Sequence, residues 1–82
     1  MLGCVVKPLK YVENEVPHGL IDGSNETFTP SVRFDPTSLK VYLNGLLLHS
    51  GVGNDFTTSG QSIIMNYAPL PGDTLAVDYR AI

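Results

Sequence analysis

Cys4, His18 and His49 are the side chains of this 82-residue chain able to act as a nucleophile or a general base. Asp22, Asn25, Glu26 and Asp73 are oxygen donors set among turn-forming residues. A thiol and an imidazole do chemistry only when the fold brings them within hydrogen-bond reach, and the local sequence does not promise that. Cys4 sits in a proline-punctuated N-terminal stretch, His18 follows Pro17 in a linker, and His49 ends a strand. Surface imidazoles and a packed thiol account for all three. The Cys and His spacing matches no zinc pattern. Asp22-Gly23-Ser24-Asn25-Glu26 puts glycine second and lacks the bidentate glutamate that closes a calcium loop, so turn chemistry explains it better. Asp73, after Pro71-Gly72, is expected to bond the backbone of its own turn, and no glycine loop is built to cradle phosphate. The chain is therefore expected to be no enzyme and to hold no metal and no cofactor.

The elements that position these residues follow from composition. Eight glycines and six prolines interrupt the chain so often that the longest stretch free of both, Asp73 to Ile82, has ten residues. An average helix is about 11–12 residues long, so a helical bundle is excluded and short strands are favoured. No apolar run approaches the roughly 18 residues that would span a membrane. The net charge is −3, and the five basic residues, Lys7, Lys10, Arg33, Lys40 and Arg80, are scattered. Phosphate binding needs them clustered, so nucleic acid is not an expected partner, and neither is a membrane. Met1-Leu2-Gly3-Cys4 ends like a lipoprotein cleavage box but has no apolar region before it, and Asn25-Glu26-Thr27 is expected to be an unmodified sequon. For 8.9 kDa, folding buries about 5,000 Å² of apolar surface. That is on the order of 120 kcal/mol of stabilisation, against an ordering entropy also on the order of 120 kcal/mol. A single cysteine excludes an internal disulfide, so partner subunits are expected to add stability.

Residues 1–19 read as an extended arm, with an edge strand near Cys4 to Val6 or Leu9 to Val12, and residues 20–82 as the folded domain. Asp22 to Asn25 is a turn. Glu26 to Phe34 alternates, with Phe28, Pro30, Val32 and Phe34 on one face, and Pro30 places that strand at an edge or bends it. Asp35-Pro36-Thr37-Ser38 is the next turn. Leu39 to Leu43, Asn44-Gly45 and Leu46 to His49 predict a hairpin with a type I′ turn, which sets Leu43 against Leu46 and Tyr42 against Leu47. Leu39, Val41, Leu43, Leu46 and Leu48 then share the core face, while Lys40, Tyr42, Leu47 and His49 lie opposite. Asp55 to Thr58 and Gln61 to Tyr67 are further strands, the latter with Ile63, Met65 and Tyr67 on one face. The last strand turns Leu75, Val77 and Tyr79 inward. Six to seven short strands at this spacing predict an all-β fold, a small antiparallel β-sandwich of Ig-like or jelly-roll-like kind with an extended N-terminal arm. The interface candidates are Val5, Val6, Leu9 and Tyr11 on the arm and Tyr42 and Leu47 on the hairpin.

Ile21-Asp22-Gly23-Ser24-Asn25, Phe28-Thr29, Ser38-Leu39 through Tyr42-Leu43-Asn44-Gly45-Leu46, Asp55-Phe56-Thr57, Ile63, Ala68-Pro69 and Gly72-Asp73-Thr74-Leu75-Ala76-Val77-Asp78-Tyr79 together resemble a β-rich module of tailed-bacteriophage virion proteins. The resemblance covers about residues 20–80. The chain departs from the pattern in the longer loop Gly51 to Asp55, in Phe56 where tyrosine is usual, and in Met65 where an aromatic is usual. The resemblance implies a non-enzymatic structural or attachment role in the virion. One module with an arm suits a decoration (cement) or fibre-base protein bound in many copies to a capsid or tail surface, with other virion proteins and its own copies as partners. The alternative expectation is a glycan- or receptor-binding module of a tail or head fibre, centred on Tyr42, Tyr67, Asn54 and Asp55.

Overall fold

The computed structural model describes residues 10–82. Seven strands form two antiparallel sheets: β1 (Tyr11–Glu15), β2 (Thr27–Phe28), β3 (Lys40–Leu43), β4 (Leu46–Leu47), β5 (Phe56–Ser59), β6 (Ser62–Met65) and β7 (Leu75–Arg80). One sheet has the order β1-β7-β3-β4 and the other β2-β6-β5. The fold is the expected small all-β sandwich. The only helical turn among the described residues is the 3-10 segment Pro36–Ser38, which Asp35 caps by accepting the Thr37 N–H at 3.0 Å.

Alternation builds the core. Leu75, Val77 and Tyr79 of β7 and Val41 of β3 point inward from one sheet, and Phe28, Phe56, Ile63 and Met65 from the other. Phe34 closes the gap between them. It is fully buried, bridges to Ala81 beside β7, donates its N–H to Gln61 Oε1 at 3.0 Å, and meets the Tyr79 ring edge-on.

Four expectations are corrected. Residues 1–9, with Val5, Val6 and Leu9, lie outside the described residues. First, the edge strand expected near Leu9 to Val12 falls further along the chain. Tyr11–Glu15 is a strand of the four-stranded sheet, with Val12 packed on the core. Second, the strand expected over Glu26 to Phe34 is two short pairings on different sheets. Thr27 and Phe28 pair with β6, the chain bends after Pro30, and Phe34 bridges to Ala81 on the other sheet, which leaves Val32 partly exposed. Pro30, which cannot donate to a ladder, sits at the crossing. Third, the return strand of the hairpin is Leu46–Leu47 only, and Leu46, directly after the turn at the hairpin tip, is 72% exposed. Fourth, Tyr67 lies beyond β6 and is exposed, so Ile63 and Met65 alone carry the inner face of that strand.

Candidate interaction surface

Of the residues that could do chemistry, His18 and His49 are held by different elements. Cys4 is outside the described residues. His18 is tied through its backbone to Thr29, its N–H donating at 2.8 Å and its carbonyl accepting at 2.9 Å. The backbone of His49 is held by Asp55, whose carboxylate accepts the His49 N–H at 2.8 Å. No group of three His, Cys, Asp or Glu side chains able to hold a metal occurs among the described residues. Asp22 acts as turn chemistry, its Oδ1 accepting the N–H groups of Ser24 and Asn25 at 2.9 and 2.8 Å, which holds its carboxyl below the usual range.

The arrangement that the fold does assemble is a surface, and the Asn44-Gly45 turn sets its register. Both residues have positive φ, 53° and 83°, as a type I′ turn requires. Side chains pin this turn to the neighbouring one. Asn44 Oδ1 accepts the Thr74 N–H at 2.8 Å, and Asn44 Nδ2 donates to Asp73 Oδ1 at 3.0 Å. Asp73 Oδ2 in turn accepts the Leu70 N–H at 2.9 Å. The Asn44 amide and then the Leu70 N–H hold the Asp73 carboxyl below its ordinary range. With β3 thus fixed against β7, Tyr42 lies beside Ala76 and Leu47, and Lys40 beside Asp78, all facing away from the core.

Strand β1 joins the same outer face through Tyr11, which stands opposite Arg80. Tyr11, Tyr42 and Leu47 therefore occupy one face of one sheet, with Tyr11 and Leu47 about half exposed. Between β1 and β3 lies a groove of about 430 Å³ lined by Asn14, Tyr42, Gly45, Thr74, Ala76 and Asp78. Ala76 of β7 has a small side chain and stands opposite Tyr42 of β3, and on the other side of β7 strand β1 carries a β-bulge. Val12 pairs with Tyr79 and Glu15 with Val77, so Glu13 and Asn14 together oppose Asp78. Asn14 takes a left-handed conformation, φ 56°, and donates its N–H to Asp78 Oδ1 at 2.9 Å.

The bulge also turns Glu15 toward the end of Tyr79, whose hydroxyl donates to Glu15 Oε1, while Glu15 Oε2 accepts the Ser31 N–H at 3.1 Å. Partial burial pushes the Glu15 carboxyl up, but the hydrogen bonds from Ser31 and Tyr79 outweigh it and hold the group below its ordinary value. At the C-terminal end of β7, Arg80 meets the Asp35 carboxylate at 2.9 Å. Alternation along the last strand already turns Ala76 and Asp78 outward, but their meeting with Asn14 and Tyr42 is not visible in the sequence. The Asn14–Asp78 contact spans 64 residues, and no local pattern announces it.

A second hollow, of about 170 Å³, lies between the Gly51–Asn54 loop and β5 and β6. The Asn54 amide there is already engaged by the Ser50 carbonyl at 2.8 Å. Comparison of the chain with protein-family models, with curated proteins and with solved structures gives no match.

Proposed function

We propose that this chain is a non-enzymatic structural protein of a bacteriophage virion, bound in many copies to the capsid or tail surface in the manner of a decoration or fibre-base protein. The observation that carries this reading is the outer face of the four-stranded sheet, which presents Tyr11, Tyr42 and Leu47 on one side, with Tyr42 lining the groove. Exposed aromatic and aliphatic side chains set among a few charges are the material of protein interfaces. The module resemblance over residues 20–80 supplies the setting. The partners are other virion proteins and further copies of the chain, and its location is the particle.

The test is quantitative mass spectrometry of purified particles of the phage that encodes the chain, with Tyr42→Ser and Leu47→Ser introduced together. The expected result is many copies per particle for the wild type and a loss of at least about tenfold for the double variant, with the free variant still folded. Absence of the wild-type chain from particles overturns the reading.

The groove also favours a second reading, a glycan- or receptor-binding module. Tyr42 offers a ring face beside the polar groups of Asn14 and Asp78, the mixture that small-ligand sites use. The residues expected for it shift accordingly, because the Asp55 carboxylate is occupied by the His49 N–H. A glycan array and a host-cell adsorption assay that both show no binding remove this reading.

A further inference from the structure

A β-sandwich ends in strand edges, and each edge carries outward N–H and C=O groups that need partners. The edge of β2 is closed. The Asn25 side chain takes both outward groups of Thr27, Oδ1 accepting the N–H at 3.3 Å and Nδ2 donating to the carbonyl at 2.9 Å, and His18 takes those of Thr29. The edge of β5 is closed at Phe56, which bonds the backbone of His49 and Gly51, and keeps only Thr58. The edge of β4 is closed at His49 by Asp55 and keeps only Leu47.

Strand β1 differs. The Ala81 N–H donates to the Lys10 carbonyl at 2.8 Å, and the Asp35 N–H and Ser38 hydroxyl take the outward groups of Arg80 on the far side of β7. Alternation then turns Lys10 and Val12 toward β7, and turns the N–H and C=O of both Tyr11 and Glu13 away from it. Those groups have no partner among the described residues.

We propose that the β1 edge pairs antiparallel with the β1 edge of a second copy, about a two-fold axis through Val12. The choice of partner comes from self-complementarity. Centred on Val12, Tyr11 faces Glu13 of the partner subunit and Glu13 faces Tyr11 of the partner subunit, so every outward group of the straight segment is satisfied. Val12 meets its own copy on the core face, where it already packs against the sandwich. The acid faces a phenol rather than another acid. A register centred on Glu13 would set like charges opposite each other, which is unfavourable, and would run into the bulge at Asn14. Closed two-fold pairs are the commonest oligomers. The seam joins the two four-stranded sheets into one, and the Tyr42 groove of each copy then faces the same side. The inference stands without the virion reading, since it concerns the free protein.

The experiment is sedimentation of the full chain across concentration, combined with amide hydrogen exchange. At roughly 100 μM the wild type is expected to be dimeric, the contact being short and the affinity modest. The amides of Tyr11 and Glu13 should be protected at that concentration and lose protection on dilution. Glu13→Pro removes a donor that β7 does not use, so the monomer fold is expected to survive while dimerisation weakens on the order of tenfold or more. Thr58→Pro, at the single open position of β5, should leave the dimer intact. A wild-type monomer at every concentration overturns the proposal, as does a dimer that Glu13→Pro does not weaken. Protection of Tyr11 and Glu13 that is unchanged on dilution also overturns it, since the occupant of the edge then belongs to the same chain. The exchange measurement on the wild type decides the matter even if Glu13→Pro fails to fold.

Discussion

The two sheets of this sandwich share one core but treat their outer surfaces in opposite ways. The three-stranded sheet faces outward with Thr27, Thr29, Thr57, Ser62 and the half-buried Ile64, two of whose neighbours, Thr29 and Ser62, bond each other at 3.3 Å. Its β2 edge is closed by Asn25 and His18. The four-stranded sheet faces outward with Tyr11, Tyr42 and Leu47, and the outer edge of its strand β1 has no partner among the described residues. Short hydroxyl side chains satisfy a solvated β surface, and capped edges prevent pairing with other strands. Among the described residues, the three-stranded sheet has a hydroxyl-rich outer face and a capped β2 edge, and the four-stranded sheet has an apolar outer face and an open β1 edge.

Two sheets that did not depend on a common core would unfold separately. Phe34 is the residue that ties them, being fully buried and contacting both β7 and the turn that carries Gln61. Phe34→Ala is expected to cost about 3–5 kcal/mol, a large share of a typical stability of roughly 5–15 kcal/mol. A urea titration reads this as a single cooperative transition at much lower denaturant. Two separate transitions would show that the sheets unfold independently.

The contrast between a closed and an open edge is sharpened by Asn25→Ala. The variant loses the contacts to Leu20 and Thr27, spaced 2.9 to 3.3 Å, on a half-buried side chain. The expected loss is about 1–2 kcal/mol in the same titration, together with concentration-dependent association through the newly opened β2 edge in sedimentation. A variant as monomeric as a β1-blocked control would mean that edge capping is not what distinguishes the sheets.

A smaller effect tests how β1 is held to the open sheet. The Glu15 carboxyl is pushed up by partial burial and brought below 4.5 by the bonds from Ser31 and Tyr79. The folded state therefore binds this proton more weakly than the unfolded chain. The stabilisation is complete above the ordinary glutamate value and is lost as pH falls through the folded one. Tyr79 works at the alkaline end. Burial, and then the bond to Glu15, raise its hydroxyl above 10.0, so its contribution is complete below that value and is lost as pH rises through the folded one. Glu15→Gln is expected to cost about 1 kcal/mol at neutral pH and nothing in strong acid. A thermal-melt series from acid to neutral pH that runs parallel for the two proteins would contradict this.

Much of the fold was legible because its signals are local. Asn44-Gly45 fixes its own dihedrals, and through them the Tyr42–Leu47 pair, and Leu75, Val77 and Tyr79 bury as their alternation requires. Alternation cannot show which sheet a residue faces. Phe28, Pro30 and Phe34 keep their period while the chain crosses from one sheet to the other, so a single strand was expected where two pairings exist. The bulge in β1 was hidden for the same reason, since it depends on pairing with β7 at the far end of the chain. Half of the surface was therefore readable and half was not: Tyr42 and Leu47 follow from the turn between them, whereas Asn14, Ala76 and Asp78 come together only through strand order.

The smallest expected effect separates facing inward from being covered. Leu46 lies on the inner side of the hairpin by register, opposite Leu43, and shares that side with Leu48. Leu48 packs against the core, but Leu46, at the hairpin tip beside the Asn44-Gly45 turn, is 72% exposed. Hydrophobic stabilisation scales with the area removed from water, so equal residue type and equal register should still give unequal costs. Leu46→Ser is expected to change stability by no more than about 0.5 kcal/mol, and Leu48→Ser by about 1–3 kcal/mol. Equal losses in dilute monomer would mean that Leu46 is covered within the chain.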